Sequence, residues 1–260
     1  MQVTIEDQSL EAAAGEACGQ VLSRAVSGKR LKNAVACLVD GQPRDLAFPL
    51  SEDAHELALV AADSPMGLSI IRHSAAHIMA EAVKTLFPSV QVTIGPAIEN
   101  GFYYDFAYER PFTPDDLEAI EAEMQKSIAA NQPFACTYVP KADAKALFAA
   151  QGESYKLEIM DENIVGDTVS LYRHGTFTDL CRGPHVPTTG LVRAVKLLSV
   201  AGAYWRGDEK RPMLQRIYGT AFASAADLKT YLHHIEEAKK RDHRKLGAQL
   251  DLFSFSEEVG

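Results

Sequence analysis

The sequence predicts an α+β protein made of a small mixed module followed by a larger one. Three observations predict it. The chain opens with period-two alternation, Val3 and Ile5 facing one way, as a half-buried strand requires. From Leu68 to Leu86 apolar residues recur instead at helical period. Elsewhere short strand-like and helix-like runs succeed one another, with no internal repeat or low-complexity tract.

In residues 1–62 the opening strand leads to a helix through AAAGEACGQVLSRAV, then to a hairpin in VACLVDGQPRDL that turns at Asp40-Gly41, and last to a strand in HELALVA. ADSPMG reads as a linker into a helix start, with Asp63 or Ser64 as cap and Pro65 in the first turn, which places a boundary near Asp63. Ile71, Ala75, Ile78, Met79, Ala82 and Leu86 then form one stripe, stopped by Pro88, so a long amphipathic helix is expected. Strands SVQVTIGPAI and GFYYDFAY, a capped helix PDDLEAIEAEMQKSIAAN, and strand candidates KLEIM, TVSLYRHG and AVKLLSVAG complete a second module over residues 63–224. Residues 225–248 have helical period almost without breakers, and the tail 249–260, LDLFSFSEEVG, reads as the start of a further unit.

With 260 residues, 47% of them hydrophobic, the chain can bury a sizeable core. No basic segment precedes an apolar run at the start, and no run of apolar residues is long enough to span a bilayer. The four cysteines, Cys18, Cys37, Cys136 and Cys181, form no CxxC pair, which argues against a disulfide scaffold or a cysteine-only zinc ribbon and for a reducing, cytoplasmic setting. A formal net charge of -9 repels a polyanion on average, so a nucleic-acid partner would have to be met by local basic patches. Lys239, Lys240, Arg241, Arg244 and Lys245 form one candidate for tRNA contact; the plain alternative is a solvated helix face held by Glu236 with Lys240 and Glu237 with Arg241.

The chemistry-bearing pattern is a pair of four-residue spacings. His73 and His77 lie about 40° apart on one helical face and so converge on one point, roughly opposite the apolar stripe. Cys181 and His185 repeat the spacing across a Gly183-Pro184 turn. Two readings stay open: separate surface pairs, or one site assembled by the fold. A joint site would in turn either hold zinc or activate water through the histidines themselves.

The run RHSAAHIMAEAVKTLFP, with IGPAIENGFYYDF, SYKLEI and TDLCRGPHVPTTG, resembles the editing domain of bacterial threonyl-tRNA synthetases. Residues 1–62 resemble the TGS domain, which implies a small ubiquitin-like (β-grasp) fold, and the last helix with LDLFSFSEEVG is similar to the linker and first residues of the family's aminoacylation core. The resemblance implies hydrolysis of mischarged seryl-tRNA(Thr) by an activated water, within an enzyme that joins threonine to tRNA(Thr) using ATP. It implies His73 as the water-orienting base, His77 and His185 beside it, Cys181 lining or ligating, and Lys156 stabilising negative charge. Asp179 would meet the serine amine or hydroxyl, and Tyr104 would close the pocket. No cofactor is required for editing on this reading, although the HxxxH and CxxxH pairs permit zinc; ATP and the family's other zinc belong to the core. A monomeric piece of a homodimeric parent, cytoplasmic and without membrane association, is expected. A non-catalytic tRNA-binding module and a free-standing deacylase are the alternatives.

Overall fold

The computed structural model describes residues 1–53 and 55–241 of the chain. Met1–Ala223 form one compact unit and Ser224–Gly260 a second. The α+β class is as expected.

Five strands near the start form one sheet in the order β2-β1-β5-β3-β4. They are β1 (Gln2–Ile5), β2 (Gln8–Glu11), β3 (Ala34–Val39), β4 (Gln42–Arg44) and β5 (His55–Ala61). The central β1 and β5 run parallel and the other pairs antiparallel, and α1 (Cys18–Ala25), followed by the short α2 (Gly28–Lys32), completes a β-grasp arrangement. The β3–β4 hairpin turns at Asp40-Gly41, both at positive φ (51° and 74°), the backbone that an Asx-Gly turn supplies. Val3, Ile5, Val21, Leu22, Cys37 and Leu57 fill the space between sheet and helix. Val35, Ala36 and Val60 instead join the main core around the next helix, so this module shares apolar surface with its neighbour.

That helix, α3 (Pro65–Leu86), is capped by Ser64, whose hydroxyl accepts from the Gly67 N–H at 3.0 Å, with Pro65 at its first position. A Cβ at Gly67 would stand 1.9 Å from the Ala61 carbonyl oxygen, so glycine lets the helix start directly against the end of β5. The expected one-sided amphipathicity is corrected by the structure. Ile70, Ser74, Ala76, His77 and Ala80 are buried as well as the predicted stripe, while Leu86 is exposed. Small residues and histidines on the second face let neighbouring elements cover it.

Those elements are a sheet in the order β12-β13-β8-β6, with β7 also paired to β8, and a three-stranded sheet in the order β11-β10-β9. The first contains β6 (Gln91–Val92), β7 (Ala97–Ile98), β8 (Gly101–Ala107), β12 (Ala194–Tyr204) and β13 (Met213–Phe222); the second β9 (Ala135–Pro140), β10 (Thr168–His174) and β11 (Phe177–Leu180). Helix α4 (Pro114–Ala130) packs on α3 and starts in a reciprocal capping box between Thr113 and Asp116. Helices α5 (Lys141–Ala150) and α6 (Ser154–Asn163) cover the three-stranded sheet around Phe148, Met160 and Val169. KLEIM, expected as a strand, lies inside α6: Lys156 and Met160, four residues apart, are its buried residues, with buried Glu153 just before its start, and one of the two is charged. An apolar count therefore misses the helical period.

In the second unit, α7 (Ala225–Lys240) is capped by Ser224, and none of its residues is buried. Lys240 pairs with Glu237 at 2.9 Å rather than with Glu236, and Arg241 pairs with the same Glu237 at 3.6 Å. Arg244, Lys245 and the tail 249–260 lie outside the described residues. No helix among the described residues is long and apolar enough to cross a membrane.

Candidate functional site

The fold brings the two distant pairs together. His73, His77, Cys181 and His185 offer ligand atoms that all lie within 4.8 Å of one another. Helical spacing puts the first two on one face of α3, and the loop after β11 carries the others across it. Ring centroids of His185 stand 4.4 Å from His73 and 4.2 Å from His77. His77 and His185 are buried, whereas His73 and Cys181 are partly exposed and line a cavity of about 480 Å³.

Ser74, which sequence reasoning passed over, decides the protonation of His185. As a helical serine it donates to the Ile70 carbonyl at 2.9 Å, and it accepts from the Val186 N–H at 3.1 Å. We assign its one hydroxyl proton to Ile70, and on that assignment His185 Nδ1, 3.0 Å away, carries a proton and donates to it. His185 Nε2 is then a lone pair, 3.3 Å from Cys181 Sγ, and the thiol donates to it. Cys181 Sγ also stands 3.2 Å from His73 Nε2, but a thiol has one proton to give. With the thiol proton given to His185, His73 Nε2 faces the Cys181 sulfur without receiving a proton from it. His77 Nδ1 is buried without a hydrogen-bond partner.

Charge follows from burial. It holds His73 down to about 4 and pushes His77 and His185 well below the ordinary imidazole range, neighbouring histidines adding to the effect on these two. Burial also pushes the Cys181 thiol up to about 12. At neutral pH the cluster is therefore three uncharged imidazoles and a protonated thiol. That donor set, with an orphan imidazole nitrogen, could hold a metal ion.

Lys156, Asp179 and Tyr104 stand at the same cavity. Lys156 is not the exposed strand lysine that its surroundings in sequence suggest, since α6 buries it in an ion pair with Asp179. Its ammonium also donates to the Tyr104 hydroxyl at 3.0 Å, and that hydroxyl donates to Asp179 Oδ2 at 2.7 Å. His77 Nε2 lies 3.7 Å from the same carboxylate oxygen. Tyr104 shares one face of β8 with Phe102 and Phe106 and stacks on Phe106 at 5.1 Å, so it serves the core and the cavity at once. A Cβ at Gly95 would stand 2.1 Å from its ring. Phe134, also unforeseen, lies parallel to the His185 ring at 4.7 Å. No sequence signal distinguishes it from an ordinary core aromatic. Lys239, Lys240 and Arg241 are in the second unit.

Residues 169–218 match the model of the second additional domain of threonyl and alanyl tRNA synthetases. A threonine–tRNA ligase of Solidesulfovibrio magneticus is 99% identical over 260 residues, which are 100% of this chain and 40% of that protein. One from Nitratidesulfovibrio vulgaris (strain Miyazaki F) is 62% identical, again over 100% of this chain and 40% of the relative. One from Magnetococcus marinus is 58% identical over 94% of the chain and 37% of the relative. The chain thus spans about 40% of the length of the curated relatives that it matches most fully. Along its whole span, from the first strand through the histidine-cysteine cluster, the chain thus matches part of threonine–tRNA ligases, including their second additional domain.

Proposed function

We propose that this chain hydrolyses the ester that joins serine to the terminal ribose of tRNA(Thr). The observation that carries the reading is an uncharged imidazole, His73, lining a cavity that also holds a buried lysine-carboxylate pair. His73 takes a proton from water as the water oxygen attacks the ester carbonyl, and returns it to the ribose oxygen as the carbon-oxygen bond breaks. Lys156 has three N–H donors, two of them engaged by Tyr104 and Asp179, so one remains for the developing oxyanion. Asp179 receives the serine amine or hydroxyl, Tyr104 closes the pocket, and His77, Cys181 and His185 hold His73 in place. The need for such a site is energetic. One methyl group is worth only about 1 to 3 kcal/mol, too little for a synthetic site to reject serine in favour of threonine.

The four donors fit zinc, which would supply Lewis-acid polarisation if bound. Four protein ligands would leave no open position, and we read the hydrolysis as carried by the chain's own groups. The same reading divides the chain into a TGS domain (1–62), an editing domain (63–224), a linker helix (225–248) bearing tRNA-contacting basic residues, and the start of an aminoacylation core (249–260). The cytoplasmic, dimeric parent would use ATP to attach threonine to tRNA(Thr).

Calorimetric titration with a non-hydrolysable seryl-adenosine amide tests the pocket assignment. Binding that Asp179→Ala weakens, with the threonyl analogue bound less well, is expected. Equal binding of both analogues, unaffected by the substitution, would contradict it.

A further inference from the structure

Asp45 follows β4 in the N-terminal sheet, 140 residues from His185, yet its Oδ1 accepts the His185 backbone N–H at 2.8 Å. Its Oδ2 accepts the Tyr172 hydroxyl at 2.5 Å. The backbone of Asp45 is fixed from its own side: the Phe48 N–H donates to its carbonyl at 3.0 Å, and Cys37 Sγ stands 3.6 Å from the carbonyls of Arg44 and Asp45. Tyr172, on β10, supports the loop from below. Its ring lies 4.6 Å from that of His185, and a Cβ at Gly183 would stand 1.9 Å from its hydroxyl oxygen. Gly183 also has φ +67°, so the loop needs glycine there for both its backbone and its approach to Tyr172. Pro43, next to Arg44, lines the cavity itself.

We propose that Asp45 is a positioning residue for the hydrolysis: by holding the Tyr172 hydroxyl and the His185 N–H together, it sets the loop that carries Cys181 and His185 over α3. The N-terminal module is on this account a wall of the site. The physical ground is that hydrogen bonds to a carboxylate are the stronger kind, and that both arrive at one rigidly held group. Without it the His185 N–H loses its acceptor and Tyr172 loses the group that fixes its hydroxyl under Gly183. Since misplacement by about 1 Å can cost about 10²-fold in rate, loop position matters more than loop presence.

The inference rests on the hydrolytic reading above, and its test separates the two. Single-turnover serine release from seryl-tRNA(Thr) is measured for the 260-residue chain and for Asp45→Ala, Asp45→Asn, Tyr172→Phe, the Asp45→Ala/Tyr172→Phe double variant and Val21→Ala. Melting temperatures are recorded for each. Asp45→Ala should lower the maximal rate by about 10- to 100-fold, with half-saturation shifted by less than about twofold. Asp45→Asn, which keeps one carbonyl acceptor, should recover part of the rate. The double variant should be no slower than Asp45→Ala, because both changes act through one carboxylate. Val21→Ala, in the module's own core, should melt lower and keep its rate. An unchanged rate in Asp45→Ala, or a rate in Val21→Ala that falls with its melting temperature, would overturn the inference while leaving the hydrolytic reading intact. A wild-type chain that releases no serine would overturn both.

Discussion

Ser74 shows how much a single hydroxyl can decide. With its proton assigned to Ile70, His185 donates to it and accepts from the Cys181 thiol, so that His73 receives no proton from the thiol. His73→Ala should therefore slow the chemical step by at least about 10²-fold while leaving half-saturation by tRNA nearly unchanged, as single-turnover kinetics would register. Ser74→Ala should slow it less, by releasing the tautomer of His185 rather than by removing a base. Burial also makes the cluster sensitive to acid. The pKa of His73 falls from 6.5 to about 4 on folding, so below about 6.5 the unfolded chain takes up a proton that the folded chain refuses. The stability it contributes is fully present above 6.5 and is lost as pH falls through about 4. Urea unfolding with chelator present should show that decline, and His73→Gln should make it shallower without abolishing it, since His77 and His185 are held below the ordinary range too; equal slopes would contradict the assignment. The Cys181 thiol, pushed up to about 12, should react with iodoacetamide at pH 8 far more slowly than a free thiol does.

At the scale of elements, legibility depended on how apolar each buried face is. The helix carrying His73 and His77, its Ser64 cap and Pro65 start, the Asp40-Gly41 hairpin and the Thr113-capped α4 were all readable, because local signals and tertiary needs agree there. KLEIM in α6 reads as a strand because one of the two buried residues of that helix is Lys156, which hydrophobic periodicity does not count. For α3 the reverse applies: the histidine face was legible as a face but not as a buried one, since alanines and histidines are compatible with water or with a covering sheet. The cap of α4 allows a separation of stability from function. Thr113→Ala should cost about 1 kcal/mol in chemical denaturation and leave serine release unchanged, whereas a loss of rate would mean that α4 helps to position α3.

Over the whole molecule, the two pairs HxxxH and CxxxH are visible in the sequence, but nothing in their spacing shows that the chain returns over α3 104 positions later (181 - 77). That closure comes from β10 pairing with both β9 and β11, and from Asp45 reaching in from a module whose sequence carries no mark of the site. Motif order supplied what spacing could not, which is why the resemblance reached the site residues while spacing alone leaves separate pairs and a joint site both open. The net charge of -9 remains to be reconciled with a polyanionic substrate. On this account tRNA affinity comes from a few local contacts, so raising salt from about 50 to 200 mM should weaken binding much less than the 10³- to 10⁵-fold expected for a protein making many phosphate contacts.

The central claim is that this chain hydrolyses seryl-tRNA(Thr) at the His73 cavity, and serine release by the purified chain tests it most directly. Wild type and His73→Ala are to be compared on seryl-tRNA(Thr) and on threonyl-tRNA(Thr), each with and without chelator. The account predicts rapid release of serine by wild type, threonine largely spared, loss of release in His73→Ala, and no effect of the chelator. Release no faster than spontaneous hydrolysis, or release that persists in His73→Ala, would contradict it.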